Sequence, residues 1–168
     1  MGYQVGDKVI HSVHGLGEIV GKDEKRLAGK TRSYYVVELS DFTVWVPVDE
    51  SGTQSLHLPL ERADFEGFLE ILSDPGEELP DDKKERQYYL SQRIKDRNCE
   101  NICMIIRDLL SRSSYQKLDR YDAEILNRAQ EYLLNEWELS LGTSRSEARR
   151  QLQSYLVAAS QGQAAAHT

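Results

Sequence analysis

The sequence predicts a chain of two parts, a small antiparallel β-barrel followed by an all-α domain. Runs rich in β-branched and aromatic residues are confined to the first third of the 168 residues, and residues spaced as on a helix dominate the rest. A chain of this length can hold two small domains with separate cores. We predict a barrel domain at 1–60, a short helix and linker at 61–80, a helical domain at 81–160 and a frayed tail at 161–168.

Five short strand-like segments fit into about 55 residues at the N-terminus, with no helical pattern among them. The first two are joined by a turn containing Gly15 and Gly17, where we expect the backbone to need a positive φ. Short strands at this spacing are typical of an SH3-like or Tudor-like barrel. Two of the segments lie within Val5–Val20, and the others are Ser33–Glu38, Phe42–Pro47 and Ser55–Leu58.

Helical patterns begin after Pro59 and continue almost to the end of the chain. The clearest apolar stripe recurs at i, i+3, i+4, i+7 and i+8, and it must be buried. Its members are Ile102, Ile105, Ile106, Leu109 and Leu110. Gly142 is expected to end one helix, and Ser144 and Glu147 have the capping-box spacing of the next. The predicted helices span about 63–72, 81 or 82 to 95, 99–111, 120–140 and a final segment after 144.

Charge is distributed unevenly along the chain. The net charge of −7 argues against a general electrostatic surface for nucleic acid. The segment 81–97, however, holds six basic residues and four acidic ones. This segment is either a solvated helix face with ion pairs at i, i+4 or, together with Tyr88 and Tyr89, a surface that meets a DNA backbone and an unstacked base.

The sequence contains no pattern typical of an enzyme, a cofactor site or a metal site, and we expect none of them. His11 and His14 do not combine with Cys99 and Cys103 in a zinc spacing, and the cysteines are expected in the helical core. Gly15-Leu16-Gly17 lacks the third glycine of a nucleotide-binding turn. No apolar run is long enough for a membrane helix or a signal peptide, so we expect a cytoplasmic protein.

Trp45 is the candidate contact residue of the N-terminal part. It alternates with Val44 and Val46, so the indole lies on the outer face of the sheet if the two valines face the core. An exposed indole often anchors a protein interface. The alternative is that Trp45 packs under a neighbouring helix. Trp137, by contrast, falls within the apolar stripe of its helix and is expected in the core.

Short motifs in unbroken order give nearly the whole chain, to about Leu156, a resemblance to a known family. They are Val5-Gly6-Asp7-Lys8-Val9, His14-Gly15-Leu16-Gly17, Tyr34-Tyr35-Val36-Val37, Val44-Trp45-Val46-Pro47, Ile105-Ile106-Arg107-Asp108-Leu109, 118–122, and 129–133 with Glu136. The chain resembles the CarD/CdnL family of bacterial RNA polymerase-binding transcription regulators, and its N-terminal part is similar to the polymerase-interacting domain of transcription-repair coupling factors. The resemblance implies a Tudor-like domain that binds the polymerase β subunit, and a helical domain that contacts promoter DNA at the upstream edge of the bubble.

The resemblance also implies which residues contact polymerase. In the family these are a basic residue in the hairpin after the second strand and the residue between the valines of the Val-x-Val-Pro motif. The corresponding residues are Lys25, with Arg26 beside it, and Trp45. The family often has arginine at the second position, so the tryptophan implies a more apolar contact.

The helical part departs from the family at the residue that contacts DNA. Family members that stabilise the open promoter carry a tryptophan near the start of the first C-terminal helix, and this chain has Lys83 at about that position. DNA contact is therefore expected from cationic side chains, namely Lys83, Lys84, Arg86, Arg93 and Lys95. The alternative is that the helical domain binds a protein partner instead of DNA.

Overall fold

The computed structural model describes residues 2–49, 52 and 54–166, with the backbone alone described for residues 160–166. The chain divides between Pro59 and Leu60 into two compact units, which we call the sheet unit and the helical unit. Five β-strands lie in the sheet unit, and five described α-helices lie in the helical unit. The predicted fold class, an antiparallel β-domain before an all-α domain, is confirmed.

The sheet unit contains an open five-stranded antiparallel sheet. Its strands are β1 (Lys8–His11), β2 (Gly15–Leu27), β3 (Lys30–Leu39), β4 (Thr43–Pro47) and β5 (Leu56–His57). Their order is β4-β3-β2-β1-β5, and no pairing between described residues joins the two edge strands. The prediction of a closed barrel is therefore corrected. β5 is only two residues long and pairs with β1 alone, which leaves too little strand to complete a barrel.

Gly15 and Gly17 shape the β1–β2 turn in different ways. Gly15 has a φ of 81°, as predicted. Gly17 does not have a positive φ, but a Cβ atom at this position would lie 2.8 Å from the Cγ1 atom of Val37. The prediction is thus correct for Gly15 and wrong for Gly17, where the close packing of β2 against β3 requires glycine.

One face of the sheet carries the core of the sheet unit. Its buried side chains are Val9, Ile19, Tyr35, Val37, Leu39, Val46 and Leu56. The hydroxyl of Tyr35 accepts a hydrogen bond from the backbone N–H of Tyr3 at 3.1 Å, and the two rings meet edge to face. Side chains alternate along each strand, so Trp45 and its neighbour Val36 on β3 lie on the opposite face.

Short polar residues cap the starts of three helices of the helical unit, and a glycine ends one of them. The helical unit contains α1 (Arg62–Leu69), a 3₁₀ turn (Glu70–Ser73), α2 (Lys83–Lys95), α3 (Cys99–Ser113), α4 (Arg120–Leu141) and α5 (Arg145–Ala166). Asp82, Asn98 and Asp119 accept hydrogen bonds from backbone N–H groups in the first turns of α2, α3 and α4. Gly142, with a φ of 64°, ends α4 as predicted. None of the described helices is long and apolar enough to span a bilayer.

The core of the helical unit gathers residues from all its helices and from the segment predicted as a linker. Its buried apolar residues are Phe65, Leu69, Leu72, Leu79, Leu90, Ile94, Ile102, Cys103, Ile105, Ile106, Leu109, Ile125, Ala129, Leu133, Leu134, Trp137, Ala148 and Leu152. Trp137 is buried, as predicted, and meets Phe65 edge to face. Segment 61–80 therefore contributes Phe65, Leu69, Leu72 and Leu79 to the core of the helical unit. At the other end, α5 continues to Ala166, past position 161 where the sequence predicts a frayed tail.

Candidate functional surfaces

Trp45 lies on the face of the sheet opposite the core of the sheet unit. Its neighbours along β4 behave as the alternation predicts, since Val46 is buried and Val44 packs against the core. The Trp45 side chain is 43% exposed, which is unusual for an indole. A large apolar ring on an open sheet face is available to a partner.

Two charged side chains of β2 hold the Trp45 ring in place, and we call these three residues the Trp45 cluster. The Nζ atom of Lys25 lies 4.1 Å from the centre of the indole ring. The Nε1–H of Trp45 donates a hydrogen bond to Oδ2 of Asp23 at 3.2 Å. Asp23 and Lys25 are two residues apart on one strand, so they project from the same face as Trp45. A cation–π contact at an exposed site contributes about 0.5–1 kcal/mol, and it orders the ring before any partner arrives.

Arg26 does not join the Trp45 cluster. It follows Lys25 along β2 and pairs with Thr31, so strand alternation directs its side chain to the opposite face of the sheet. Beyond Tyr34, which pairs with Pro47, the register with β4 ends and β2 and β3 continue as a two-stranded ribbon. Arg26 is exposed on this ribbon. The two basic residues predicted as one polymerase contact therefore lie on different faces.

The outer surface of α2 carries three of the five cations predicted to contact DNA. Lys83, Lys84 and Lys95 are exposed, and no carboxylate of the described residues forms an ion pair with them. Tyr88 is 69% exposed. Because Tyr88 and Lys95 follow Lys84 by four and eleven residues, the three side chains share one side of the helix. We call Lys84, Tyr88 and Lys95, together with Lys83 at the exposed first position of the helix, the α2 face.

Arg86, the fourth predicted DNA contact, is buried and bound within the helical unit. Its Nε–H donates to both carboxylate oxygens of Asp122 at 3.0–3.1 Å, and its Nη2–H donates to Oδ2 of Asp119 at 3.0 Å. Its Nη1 donates to the carbonyl oxygens of Pro80 and Asp81. The backbone N–H of Asp122, together with Arg86, holds the pKa of Asp119 below its ordinary value. All three guanidinium nitrogens thus have partners inside the helical unit, and contact of Arg86 with DNA stays a prediction.

Arg93, the fifth predicted contact, is half-buried between α2 and α3. Its guanidinium lies 4.8 Å from the centre of the Tyr89 ring, and its Nη1 lies 2.9 Å from the sulfur of Met104. These contacts place the arginine at the side of α2 that packs against α3. The side chain has neither the exposure nor the freedom of the α2 face.

Comparison with known proteins finds one matching family model for each part of the chain. Residues 3–57 match the family model of the CarD-like/TRCF RID domain, and residues 67–153 match that of the CarD C-terminal domain. The chain belongs to the CarD family. The CarD-family chain is also 22% identical over 149 residues to the candidate transcription factor YdeB of Bacillus subtilis (strain 168), which covers 88% of this chain and 97% of that protein.

The two family domains coincide with the two units of this CarD-family protein. The match to the polymerase-interacting domain ends at residue 57, two residues before the division at Pro59. The resemblance predicted from the sequence motifs is therefore confirmed. The Trp45 cluster lies on the polymerase-interacting domain, and the α2 face lies on the C-terminal domain.

Asp23 is the member of the Trp45 cluster that the sequence analysis missed. The signal that could have identified it is its distance of two residues from Lys25 on a predicted strand, which places both on one face. Finding the hydrogen bond to Trp45 also requires the register of β2, β3 and β4. That register depends on the bulge at Val20, where the pairing shifts between Ile19 and Gly21.

Proposed function

We propose that this CarD-family protein is a non-enzymatic, cytoplasmic regulator of transcription initiation. Its sheet unit binds the β subunit of RNA polymerase, and its helical unit modulates the stability of the promoter open complex at the upstream edge of the bubble. The observation that carries the proposal is the Trp45 cluster, an exposed and ordered indole on the polymerase-interacting domain.

The chemistry of the Trp45 cluster supports docking on a protein surface. Tryptophan is enriched among the few residues that carry most of the binding energy of an interface. Lys25 and Asp23 restrict the indole, so less conformational entropy is lost when a partner covers it. The family often has an arginine at the position of Trp45, and the indole offers apolar area where that arginine would offer a charge. We therefore expect the indole to contact a hydrophobic patch on the β subunit.

The charges of the α2 face support contact with DNA once polymerase is bound. The whole chain has a net charge of −7, so free DNA is not attracted to it in general. A chain tethered to polymerase through its sheet unit holds the helical unit near the promoter at high effective concentration. The three lysines, which form no ion pair with a carboxylate in the described part of the chain, and the exposed tyrosine then suffice for a weak local contact with phosphate groups and bases.

Binding to purified β subunit tests the docking surface. We expect Trp45→Ala to weaken binding by about 30-fold, the effect of losing a contact of about 2 kcal/mol, and Lys25→Ala to weaken it by about threefold. Phe42→Ala is the matched control, because Phe42 is an aromatic of the same unit that is 49% exposed and lies outside the Trp45 cluster. Equal affinities for Trp45→Ala and the wild type would remove the cluster from the docking surface.

The lifetime of promoter open complexes tests the DNA contact. We expect the protein to change this lifetime and the triple variant Lys83→Ala, Lys84→Ala and Lys95→Ala to lose most of the change, because it lacks the cations that reach phosphate. A control variant with Lys117, Arg120 and Arg150 changed to Ala loses the same charge from exposed positions and should behave as the wild type. If the first triple variant retains the full effect, the helical unit acts through a protein partner instead.

A further inference from the structure

A cavity of about 230 Å³ lies between α3, α5 and the 3₁₀ turn of the helical unit, and we call it the Arg107 cavity. A water molecule occupies about 30 Å³ in the liquid, so the cavity has room for about eight non-hydrogen atoms. Arg107, Ser113 and Ser114 provide its polar groups. Its apolar walls are formed by Leu72, Leu110, Leu156 and Ala159.

The guanidinium of Arg107 is buried and only partly paired. Arg107 is 8% exposed. Its Nε–H donates a hydrogen bond to Oδ1 of Asp108 at 2.8 Å, and the side chain donates no other hydrogen bond to a described residue. Its Nη2 atom is enclosed without a partner. Buried polar groups in proteins almost always have hydrogen-bond partners, so unpaired N–H groups beside a cavity indicate a place for an added acceptor.

The charges around Arg107 favour an uncharged acceptor. Asp108 is 2% exposed, and its Oδ1 also accepts a hydrogen bond from the backbone N–H of Glu77 at 2.9 Å. Burial lowers the pKa of Arg107, but the hydrogen bond to Asp108 and the charges of Asp108, Glu77 and Asp74 outweigh burial and raise it. Three carboxylates thus act on one guanidinium, and a further anion would meet their repulsion.

Two serines at the cavity provide acceptors for an N–H group. The hydroxyl of Ser113 donates to the carbonyl oxygen of Leu110, and that of Ser114 donates to the carbonyl oxygen of Ser111, both at 2.6 Å. Because each hydroxyl proton is engaged, the lone pairs of the serine oxygens remain able to accept. A carbonyl oxygen for Arg107 and an N–H for a serine are the two halves of an amide.

We propose that the Arg107 cavity binds a small neutral amide that carries an aliphatic chain. The carbonyl oxygen accepts a hydrogen bond from the Arg107 guanidinium, and the amide N–H donates to Ser113 or Ser114. The chain packs against Leu72 and Leu156. This site is separate from the proposed polymerase and DNA contacts, and it depends on neither.

Titration of the full chain with hexanamide, followed by ¹H–¹⁵N NMR spectra, tests the site. Hexanamide is an aliphatic amide of the size that the cavity holds. We expect saturable shifts in the backbone signals of residues that line the cavity. Hexanoate has the same chain but brings a charge and no N–H, so it should bind at least about tenfold more weakly. The absence of saturable shifts with hexanamide, or tighter binding of hexanoate, would overturn the proposal.

Two variants locate the binding at the cavity. Arg107→Met removes the donor and should weaken hexanamide binding at least about tenfold, the effect of losing a hydrogen bond from a charged group. Ala159→Phe fills the cavity and should abolish binding, and it leaves the pair of Arg107 and Asp108 intact should Arg107→Met unfold. Ala158→Phe adds the same ring at an exposed neighbouring position of α5 and should bind as the wild type does. Equal hexanamide affinities for Ala159→Phe and Ala158→Phe would contradict the site. Affinity for the β subunit should be unchanged in each variant, so this result is distinguishable from failure of polymerase docking.

Discussion

At the scale of single residues, Arg86 shows that a basic side chain on a surface helix can belong entirely to the interior. Its side chain is 6% exposed and that of Asp122 is 1% exposed. A buried ion pair contributes little net stability when intact, but removing one partner leaves a charge that is both buried and unpaired. Arg86 therefore contributes to the stability of the helical unit and adds little to the charge that the unit presents on its surface.

We expect Arg86→Ala to lower the free energy of unfolding by about 3–5 kcal/mol, because Asp122 is left buried without its partner. Lys84→Ala, on the exposed side of the same helix, should change stability by less than about 0.5 kcal/mol. Urea denaturation followed by the helical circular dichroism signal measures both. Equal midpoints for the two variants would show that the Arg86 network is not a stabilising part of the fold.

The sequence contains part of the information needed to place these side chains. Trp45 could be predicted because strand alternation is a local rule, and its two valine neighbours determine its face. Arg86 precedes Leu90 and Ile94 by four and eight residues, and this spacing indicates that it lies on the buried side of α2. The sequence analysis instead grouped Arg86 with the exposed lysines because it is basic. Its partner Asp122 is 36 residues away, and no local pattern identifies a pair across that distance.

At the scale of elements, two glycines have opposite effects on helix stability. Gly142 ends α4 with a φ of 64°, where any other residue is strained. Gly67 lies inside α1, and a Cβ atom there would have no other atom within 4 Å. The first glycine is required by the backbone, and the second costs conformational entropy without a structural reason.

We expect Gly142→Ala to destabilise the helical unit by about 1 kcal/mol and Gly67→Ala to stabilise it by about 0.5–1 kcal/mol. The same substitution thus has opposite signs at two positions of one unit. Thermal or urea unfolding of both variants beside the wild type provides the measurement, and each variant is the control for the other. Effects of the same sign would contradict the backbone conformations described for these helices.

Element boundaries were also easier to predict than the way elements combine. Caps such as Asp82 and Asp119 and the stop at Gly142 are local signals, and the helix bounds follow them. Whether the sheet closes into a barrel depends on the length of β5. A strand of two residues is too short to leave an alternating pattern in the sequence, so its length could not be predicted. The packing of Phe65 and Leu72 into the helical core likewise depends on residues far along the chain.

At the scale of the whole molecule, the proposed function depends on the covalent connection between the two units. In the function we propose, the sheet unit provides affinity through the Trp45 cluster, and the helical unit provides a weak DNA contact through the α2 face. Neither surface alone explains how an acidic protein acts at a promoter. The connection converts a weak contact into one at high effective concentration, so the DNA contact must depend on docking.

Photocrosslinking from position 88 tests this dependence most directly. A photoreactive residue in place of Tyr88, which is highly exposed on the α2 face, reports DNA within reach of that face in a complex of polymerase and promoter. We predict a crosslink to promoter DNA in the presence of polymerase, and its loss when polymerase is omitted or when Trp45→Ala is added to the same chain. A crosslink of equal yield with and without Trp45→Ala, or the absence of any crosslink to DNA in the intact complex, would contradict the account.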